Sequence, residues 1–356
     1  MPELILLCAA AAVDRVPDGG AEHATTIDPL AARRALARGV FARTFSRGRL
    51  AVDRHDESVL PRELPEEAWL RMRLHLAEAD AVEAQAARTF GIPLPCWRLT
   101  PSHVTIALDH ARLSDPTLLG LAADESQALA AAAAPLFAAQ GLSLEAPTPH
   151  AWFVRGEPDL RLDTRSWTMA AGRNIDAYLP GGPDARRWRR LLTEVQMVWF
   201  DHAVNRAREA RGEPPLNMLW VDGRATGALE GPPTVILSAN PAFAGMMRGD
   251  EPQAIEPGAG LPDARALGAL AGGSDLIVDV GGWSAARRRT QPQAWVDAWL
   301  RFEAWLARGG LDRALPAGFD AVRVVLTGER RVLEFVATRG DAWRLWRRLD
   351  AIGLAL

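Results

Sequence analysis

Asp275-Leu276-Ile277-Val278-Asp279-Val280-Gly281-Gly282 is a run of apolar, mostly β-branched residues that begins on one acid, meets a second and stops at a glycine pair. Such a stretch reads as a strand buried on both faces, the kind found inside a parallel sheet. Asp279 stands at its carboxyl end, where an open α/β sheet places ligands, although an acid there also suits the cap of the next turn. Working outward, strands are expected at residues 4–10, 217–222 and 234–238. A helix over 292–308 carries Trp295, Trp299, Phe302, Trp305 and Leu306 on one face, a stripe that reads as core. Val322–Leu326 and Val332–Ala337 flank Thr327-Gly328-Glu329-Arg330-Arg331 as a hairpin, followed by a terminal helix with Arg344, Arg347 and Arg348. Strand and helix alternation with an antiparallel edge predicts an α/β fold, a mixed sheet with flanking helices.

The remaining elements follow from punctuation. Asp28-Pro29 opens a helix that stops near Gly39, residues 46–65 read as an exposed connector, and a surface helix runs from about Pro65 to Phe90. Short strands are expected at 102–109, 111–113, 150–155 and 160–164, and Asp124 caps an alanine-rich helix reaching about Gln140. One long helix spans 184–211, between Asp184 and Gly212. Projected at about 100° per residue, its Trp188, Leu192, Val195, Trp199, Phe200, Ala203, Val204 and Ala207 cover more than half the circumference, so it is expected to be largely buried. Glu194, Asp201, Asn205 and Arg208 form a narrow polar stripe, which suits either a solvated strip of ion pairs or the wall of a polar cleft. The chain divides into an N-terminal α/β region over 1–95 and a main α/β domain over 96–356, unless the whole is a single domain.

Composition removes several chemistries. The 41 basic side chains are all arginine, so a Schiff-base lysine, a phosphate-loop lysine and a Ser-Lys pair are excluded. A net charge of -3 argues against nucleic acid as a direct ligand. Cys8 and Cys96, far apart in apolar surroundings, read as reduced thiols of a cytoplasmic protein. The run Leu4–Val13 is too short to span a bilayer, so no membrane partner is expected. No G-x-S-x-G elbow or G-x-G-x-x-G loop is present. Two Asp-His pairs, Asp109-His110 and Asp201-His202, supply the only ligand-like constellation, which would take a divalent metal, Mn or Zn, if brought together.

The runs Leu99-Thr100-Pro101-Ser102-His103-Val104, Leu108 to Pro116, Gly172 to Pro180, Arg190 to Met197 and His202 to Gly212 resemble the RpfE-type regulatory family of proteobacteria. The resemblance extends through Asn217 and Trp220 to the Leu326–Arg330 hairpin and departs from the family pattern at Ala203, Met218 and Val221-Asp222-Gly223. Members of that family are often labelled as resembling cofactor-independent phosphoglycerate mutase. Those mutases are alkaline-phosphatase-like metalloenzymes needing an activated hydroxyl and several Asp and His ligands, beginning with an acid after the first strand; here Ala9 to Ala12 follow it.

The resemblance implies a regulatory or ligand-binding protein that holds a small anionic ligand or a protein partner. The expected site is a cleft of Arg173, Asn174, Glu194, Gln196, His202, Asn205, Arg208 and Asn217, in which arginines hold an anion and amides orient it. The alternative is a metal-dependent phosphomutase or phosphatase using Asp109, His110, Asp201 and His202. A third reading is a protein-interaction module acting through the tryptophan-bearing C-terminal elements.

Overall fold

The computed structural model describes residues 2–12, 36, 38–54, 61–106, 110–156, 160–227, 229–231, 233–247, 261–288, 291–309 and 315–343. In chain order the strands are β1 (Glu3–Cys8), β2 (Arg49–Arg54), β3 (Cys96–Ser102), β4 (Val104–Ile106), β5 (Ala111–Leu113), β6 (Leu142–Thr148), β7 (Ala151–Gly156), β8 (Met218–Ala225), β9 (Thr234–Leu237), β10 (Asp275–Asp279), β11 (Ala321–Thr327) and β12 (Arg331–Thr338). Helices of six residues or more are α1 (Val40–Phe45), α2 (Pro65–Arg73), α3 (Ala123–Ala138), α4 (Ala185–Phe200), α5 (Ala203–Ala210), α6 (Ala264–Ala271), α7 (Trp283–Arg288) and α8 (Pro292–Arg308). The fold is mixed α/β, as the alternation of elements implies. It separates into two compact units, Met1–Pro61 with Gly231–Leu356, and Arg62–Glu230. The boundary expected at residue 95 falls inside the second of them.

The first unit is built on a six-stranded sheet of order β2-β12-β11-β1-β10-β9. β11, β1, β10 and β9 run parallel, while β12 and β2 add antiparallel strands at one edge. β2 occupies part of what reads in sequence as an exposed connector; its backbone is claimed by the β12 edge, a partner that local polarity does not reveal. β1 is buried along its whole length and hydrogen-bonded on both sides. Its Leu4, Leu6 and Cys8 join Val278, Val322, Val324 and Leu326 beneath Trp295, Trp299 and Phe302 of α8 and Phe41 and Phe45 of α1. The tryptophan stripe is therefore core. Trp299 packs edge-on against Trp283 at 5.5 Å and against Phe41 at 5.6 Å, geometries that add to area burial. Glu303 of α8 accepts the backbone N–H groups of Val40 (2.6 Å) and Phe41 (3.1 Å), capping α1 from another element. That approach requires Gly39, because a Cβ there would lie 2.4 Å from Glu303 Oε1.

The second unit holds an antiparallel sheet of order β6-β7-β3-β8 and the β4–β5 pair. α3 and α4 cover the sheet with Leu129, Ala133, Phe137, Trp188, Leu191, Val195 and Trp199 around Trp152. α3 begins at Ala123, with Glu125 accepting the Ala122 N–H at 3.2 Å, so the cap lies earlier than the expected Asp124. The surface helix expected over 65–90 is interrupted after Arg73 and resumes as a 3-10 turn at Glu83–Gln85 and a short helix at Ala86–Thr89, with Glu66, Glu67 and Glu83 buried. Residues 160–164 form only an isolated bridge, Asp163 to Gly181. The helices expected around Asp28-Pro29 and around Arg344, Arg347 and Arg348 lie outside the described residues.

The long helix expected over 184–211 is two helices. His202 is extended (φ −74°, ψ 144°) and its Nδ1 accepts the Val204 N–H at 3.2 Å, so it serves as the N-cap of α5. Asn205 reaches back from α5 to donate to the Trp199 carbonyl at 2.8 Å, satisfying the end of α4. Phe200, expected in the apolar arc, is 86% exposed, because it lies about two turns beyond the exposed Thr193 on the same face of α4.

Trp299→Ala should cost about 3–5 kcal/mol, since it opens a cavity among four aromatic rings and removes a buried indole donor. Urea unfolding of the variant checks this.

Candidate functional site

Four parallel strands of the first unit point their carboxyl ends the same way, and the polar groups there come from residues separated by hundreds of positions. After β1, Ala9–Ala12 turn sharply, with Ala10 in the left-handed region (φ 60°), a conformation that costs an alanine roughly 1 kcal/mol. Most backbone groups of the turn are tied down. Thr327 Oγ1 accepts the Ala10 N–H and the Thr327 carbonyl accepts that of Ala12, both at 2.9 Å. Ser284 Oγ donates to the Ala9 carbonyl (3.2 Å), Trp295 Nε1 to Ala10 (3.0 Å) and Trp299 Nε1 to Ala11 (3.2 Å).

Beside this turn, β9 and β10 deliver a hydroxyl–carboxylate pair. Ser238 Oγ donates to Asp279 Oδ2 at 2.7 Å and accepts the Asn240 N–H at 3.0 Å, while Gly281 N–H donates to Asp279 Oδ1 at 3.2 Å. Asp279 thus caps the following turn and also sits where the sheet places ligands. Burial raises its carboxyl above the ordinary value, with the Ser238 and Gly281 bonds opposing. Burial, and then the nearby Asp279 charge, push the Cys8 thiol up, so it is a protonated core thiol rather than a nucleophile. Gly281 and Gly282 both have positive φ, and a Cβ at Gly281 would meet nothing within 4 Å.

This donor set does not suit a phosphoryl-transfer metal. A divalent cation of that kind wants several oxygen or nitrogen ligands, whereas among the described residues no group of three or more His, Cys, Asp or Glu side chains is arranged to hold one. At the strand ends Asp279 stands with neutral hydroxyls. Of the Asp-His pairs, Asp109 lies outside the described residues. Asp201 pairs with Arg206 at 2.7 Å, and His202 is engaged as a helix cap through Nδ1.

The structure brings four of the expected ligand residues together, but around a segment of the chain itself. Asn205 donates to the carbonyls of Trp199 and Leu216 and accepts the Leu216 N–H, each at 2.8 Å. Gln196 donates to the Asn217 carbonyl at 2.7 Å, and the Asn217 side chain pairs with the backbone of Val104 in both directions. Arg208, with 0% side-chain exposure, donates to the carbonyls of Pro214 (3.0 Å) and Leu119 (2.5 Å) and to Glu125 (2.7 Å). Together these four staple residues 214–217 into the entry of β8. Arg173 donates to Tyr178 Oη at 3.1 Å, Asn174 caps the 3-10 turn Ile175–Ala177, and Glu194 makes an i,i+4 pair with Arg190 at 3.3 Å.

A buried ionic network in the second unit escaped the sequence reading. Arg98 on β3 is hydrogen-bonded to Glu83, lies 3.9 Å from Asp222 on β8 and donates to the His150 carbonyl. Asp222 accepts from Thr100 Oγ1 (2.5 Å) and the Trp167 N–H (2.8 Å); Glu67 accepts from the Leu64 N–H (2.8 Å) and Thr168 Oγ1 (3.1 Å). Burial, opposed by Arg98, pushes Asp222 up to about 6, and burial with the Glu83 charge pushes Glu67 up as well. The one signal in sequence was an arginine inside an otherwise uncharged strand.

No protein-family model and no curated protein matches the chain. Among solved structures it is similar to a cofactor-independent phosphoglycerate mutase from Thermoplasma acidophilum DSM 1728, with 14% identity, 100% of this chain and 96% of that one covered, and a TM-score of 0.42. It is also similar to the PH0037 protein from Pyrococcus horikoshii, with 14% identity, coverage of 98% and 92%, and a TM-score of 0.55. The second likeness shows a shared fold. Among the described residues no helix is long and apolar enough to cross a membrane.

Two variants test these assignments. Arg208→Ala strands two carbonyls and should destabilise by about 3–5 kcal/mol in urea unfolding, whereas an arginine on an open cleft wall would change stability by under about 0.5 kcal/mol. Asp222 has a folded-state value above its unfolded one, so the stability it contributes is complete below the unfolded value and is lost as pH rises through about 6. Asp222→Asn should therefore flatten the fall in stability between about pH 4 and 6, as read from unfolding midpoints across that range.

Proposed function

We propose that this chain is a regulatory or ligand-binding protein of the RpfE type, and that its ligand is a small hydroxyl-bearing molecule held at the carboxyl edge of the parallel strands. The observation that carries the reading is the Ser238–Asp279 pair beside the fixed turn Ala9–Ala12 and the open backbone of Gly281. Asp279 offers acceptor oxygens, the buried Ser238 holds its carboxylate in place, and the positive-φ Gly281, where a Cβ would meet nothing within 4 Å, leaves room for a ligand to approach the main chain. The anion-binding cleft anticipated from the arginines has less support, because Arg208 is engaged by Glu125 and two carbonyls. Phosphoryl transfer has less support too, since among the described residues no group of three or more His, Cys, Asp or Glu side chains is arranged to hold the metal that chemistry draws on.

The test combines turnover and binding. With Mn²⁺ or Zn²⁺ added, the purified protein should neither isomerise 3-phosphoglycerate nor hydrolyse p-nitrophenyl phosphate. In a thermal-shift panel of polyols, sugars and hydroxy acids, at least one compound should raise the melting temperature by several degrees, and Asp279→Asn or Ser238→Ala should abolish that rise. Metal-dependent turnover lost in Asp279→Asn would replace the binding role with a catalytic one.

A further inference from the structure

The solvent face of α4 carries an arrangement that neither the fold nor the proposed ligand site uses. Arg186, Arg189, Arg190, Thr193, Met197 and Phe200 are all exposed, and at about 100° per residue they fall in one stripe within roughly 60° of Thr193. The opposite face, with Trp188, Leu191, Leu192, Val195 and Trp199, is buried in the unit's own core. The stripe is about 21 Å long. Its first half is cationic. Its second half is apolar, with Met197 72% and Phe200 86% exposed, and it ends beside Asp201. A methionine and a phenylalanine exposed to that degree one turn apart are more than the scattered apolar residues of an ordinary surface.

Inside its turns α4 also carries charges that oppose its own dipole, although Asp184 at the N-cap favours it. The first turn holds Arg186 and Arg187 with no acid, and the last turn holds no basic residue before Asp201 at the C-cap. A helix alone favours the reverse, because its N-terminus carries partial positive charge and its C-terminus partial negative charge.

Both anomalies are resolved by one partner. We propose that this face is the seat of an antiparallel, two-fold dimer, in which α4 packs against α4 of a second copy of the chain about an axis through Thr193. A two-fold interface must be self-complementary. Here the antiparallel register sets Arg186 against the partner's Phe200, Arg189 against the partner's Met197, and Thr193 against the partner's Thr193. The guanidinium of Arg186 lies over an aromatic face, arginine stems cover the thioether, and each cationic N-terminus rests beside the electronegative C-terminus of the other helix. A basic face alone would fit any acidic partner; segregation into a cationic half and an apolar half of equal length fits a second copy. A single helix stripe is small beside the ~800 Å² per partner of a standard interface, so the dimer is concentration-dependent.

Sedimentation equilibrium of the full chain from about 1 to 200 µM tests this, the range being that of a small interface. Wild type should approach twice the 38.6 kDa chain mass at the upper end. Phe200→Arg, which sets arginine against arginine on an already exposed position, should remain monomeric with an unchanged circular-dichroism spectrum. A short bis-maleimide should link Thr193→Cys to itself but not Met197→Cys, whose mates lie about 12 Å apart along the axis in this register. A wild type that stays monomeric at the highest concentration, a Phe200→Arg variant that still dimerises, or equal linking of the two cysteine variants would each overturn the proposal.

Discussion

A strand in the middle of a parallel sheet leaves that sheet with its backbone still deep in apolar surroundings, and every N–H and C=O it carries out must find a partner there. In this protein that constraint falls on Ala9–Ala12. The turn is held by Thr327 from β11, Ser284 from α7 and the indoles of Trp295 and Trp299 from α8, so three elements distant in sequence are fixed against β1 by the same few hydrogen bonds. The tryptophans serve twice, filling the core with rings and satisfying the turn with their N–H groups. The left-handed Ala10 persists because so many partners determine the path around it. The neighbouring Ser238–Asp279 pair inherits its position from this closure.

The second unit solves the same problem with polar side chains. Its helix pair breaks at Asp201–His202, and polar side chains on both sides of the break fold back on the chain, with Gln196, Asn205 and Arg208 each donating to backbone carbonyls. These residues look functional in sequence because buried amides and arginines are rare. They are rare because burial is costly without complete pairing, and here the pairing is supplied by the segment leading into β8. The network of Arg98, Glu67, Glu83 and Asp222 follows the same rule at higher stakes. Three carboxylates share one guanidinium, so part of the cluster favours its protonated form.

The arginines have divided roles. Arg98 and Arg208 are interior, multidentate and bound to carboxylates and carbonyls, uses that suit a planar guanidinium better than a lysine ammonium. Arg186, Arg189 and Arg190 remain on the outside of α4, where their arrangement along the helix rather than their number sets them apart.

The sequence by itself determined the class of fold and much of the core. The run at 4–10 and the Leu276–Val278 stretch between two acids read as strands covered on both faces, and the spacing of Trp295, Trp299 and Phe302 fixes one face of a helix whatever it packs against. Asp279 was legible because it ends such a run. Tertiary structure alone decided the rest. Whether Asn205 and Arg208 face a cleft or a carbonyl depends on where residues 214–217 pass, which helical periodicity does not record. That β2 is a strand depends on the β12 edge. That Glu67, Glu83, Arg98 and Asp222 meet depends on four elements converging, since a charge can be buried only when its counter-charge arrives from elsewhere in the chain.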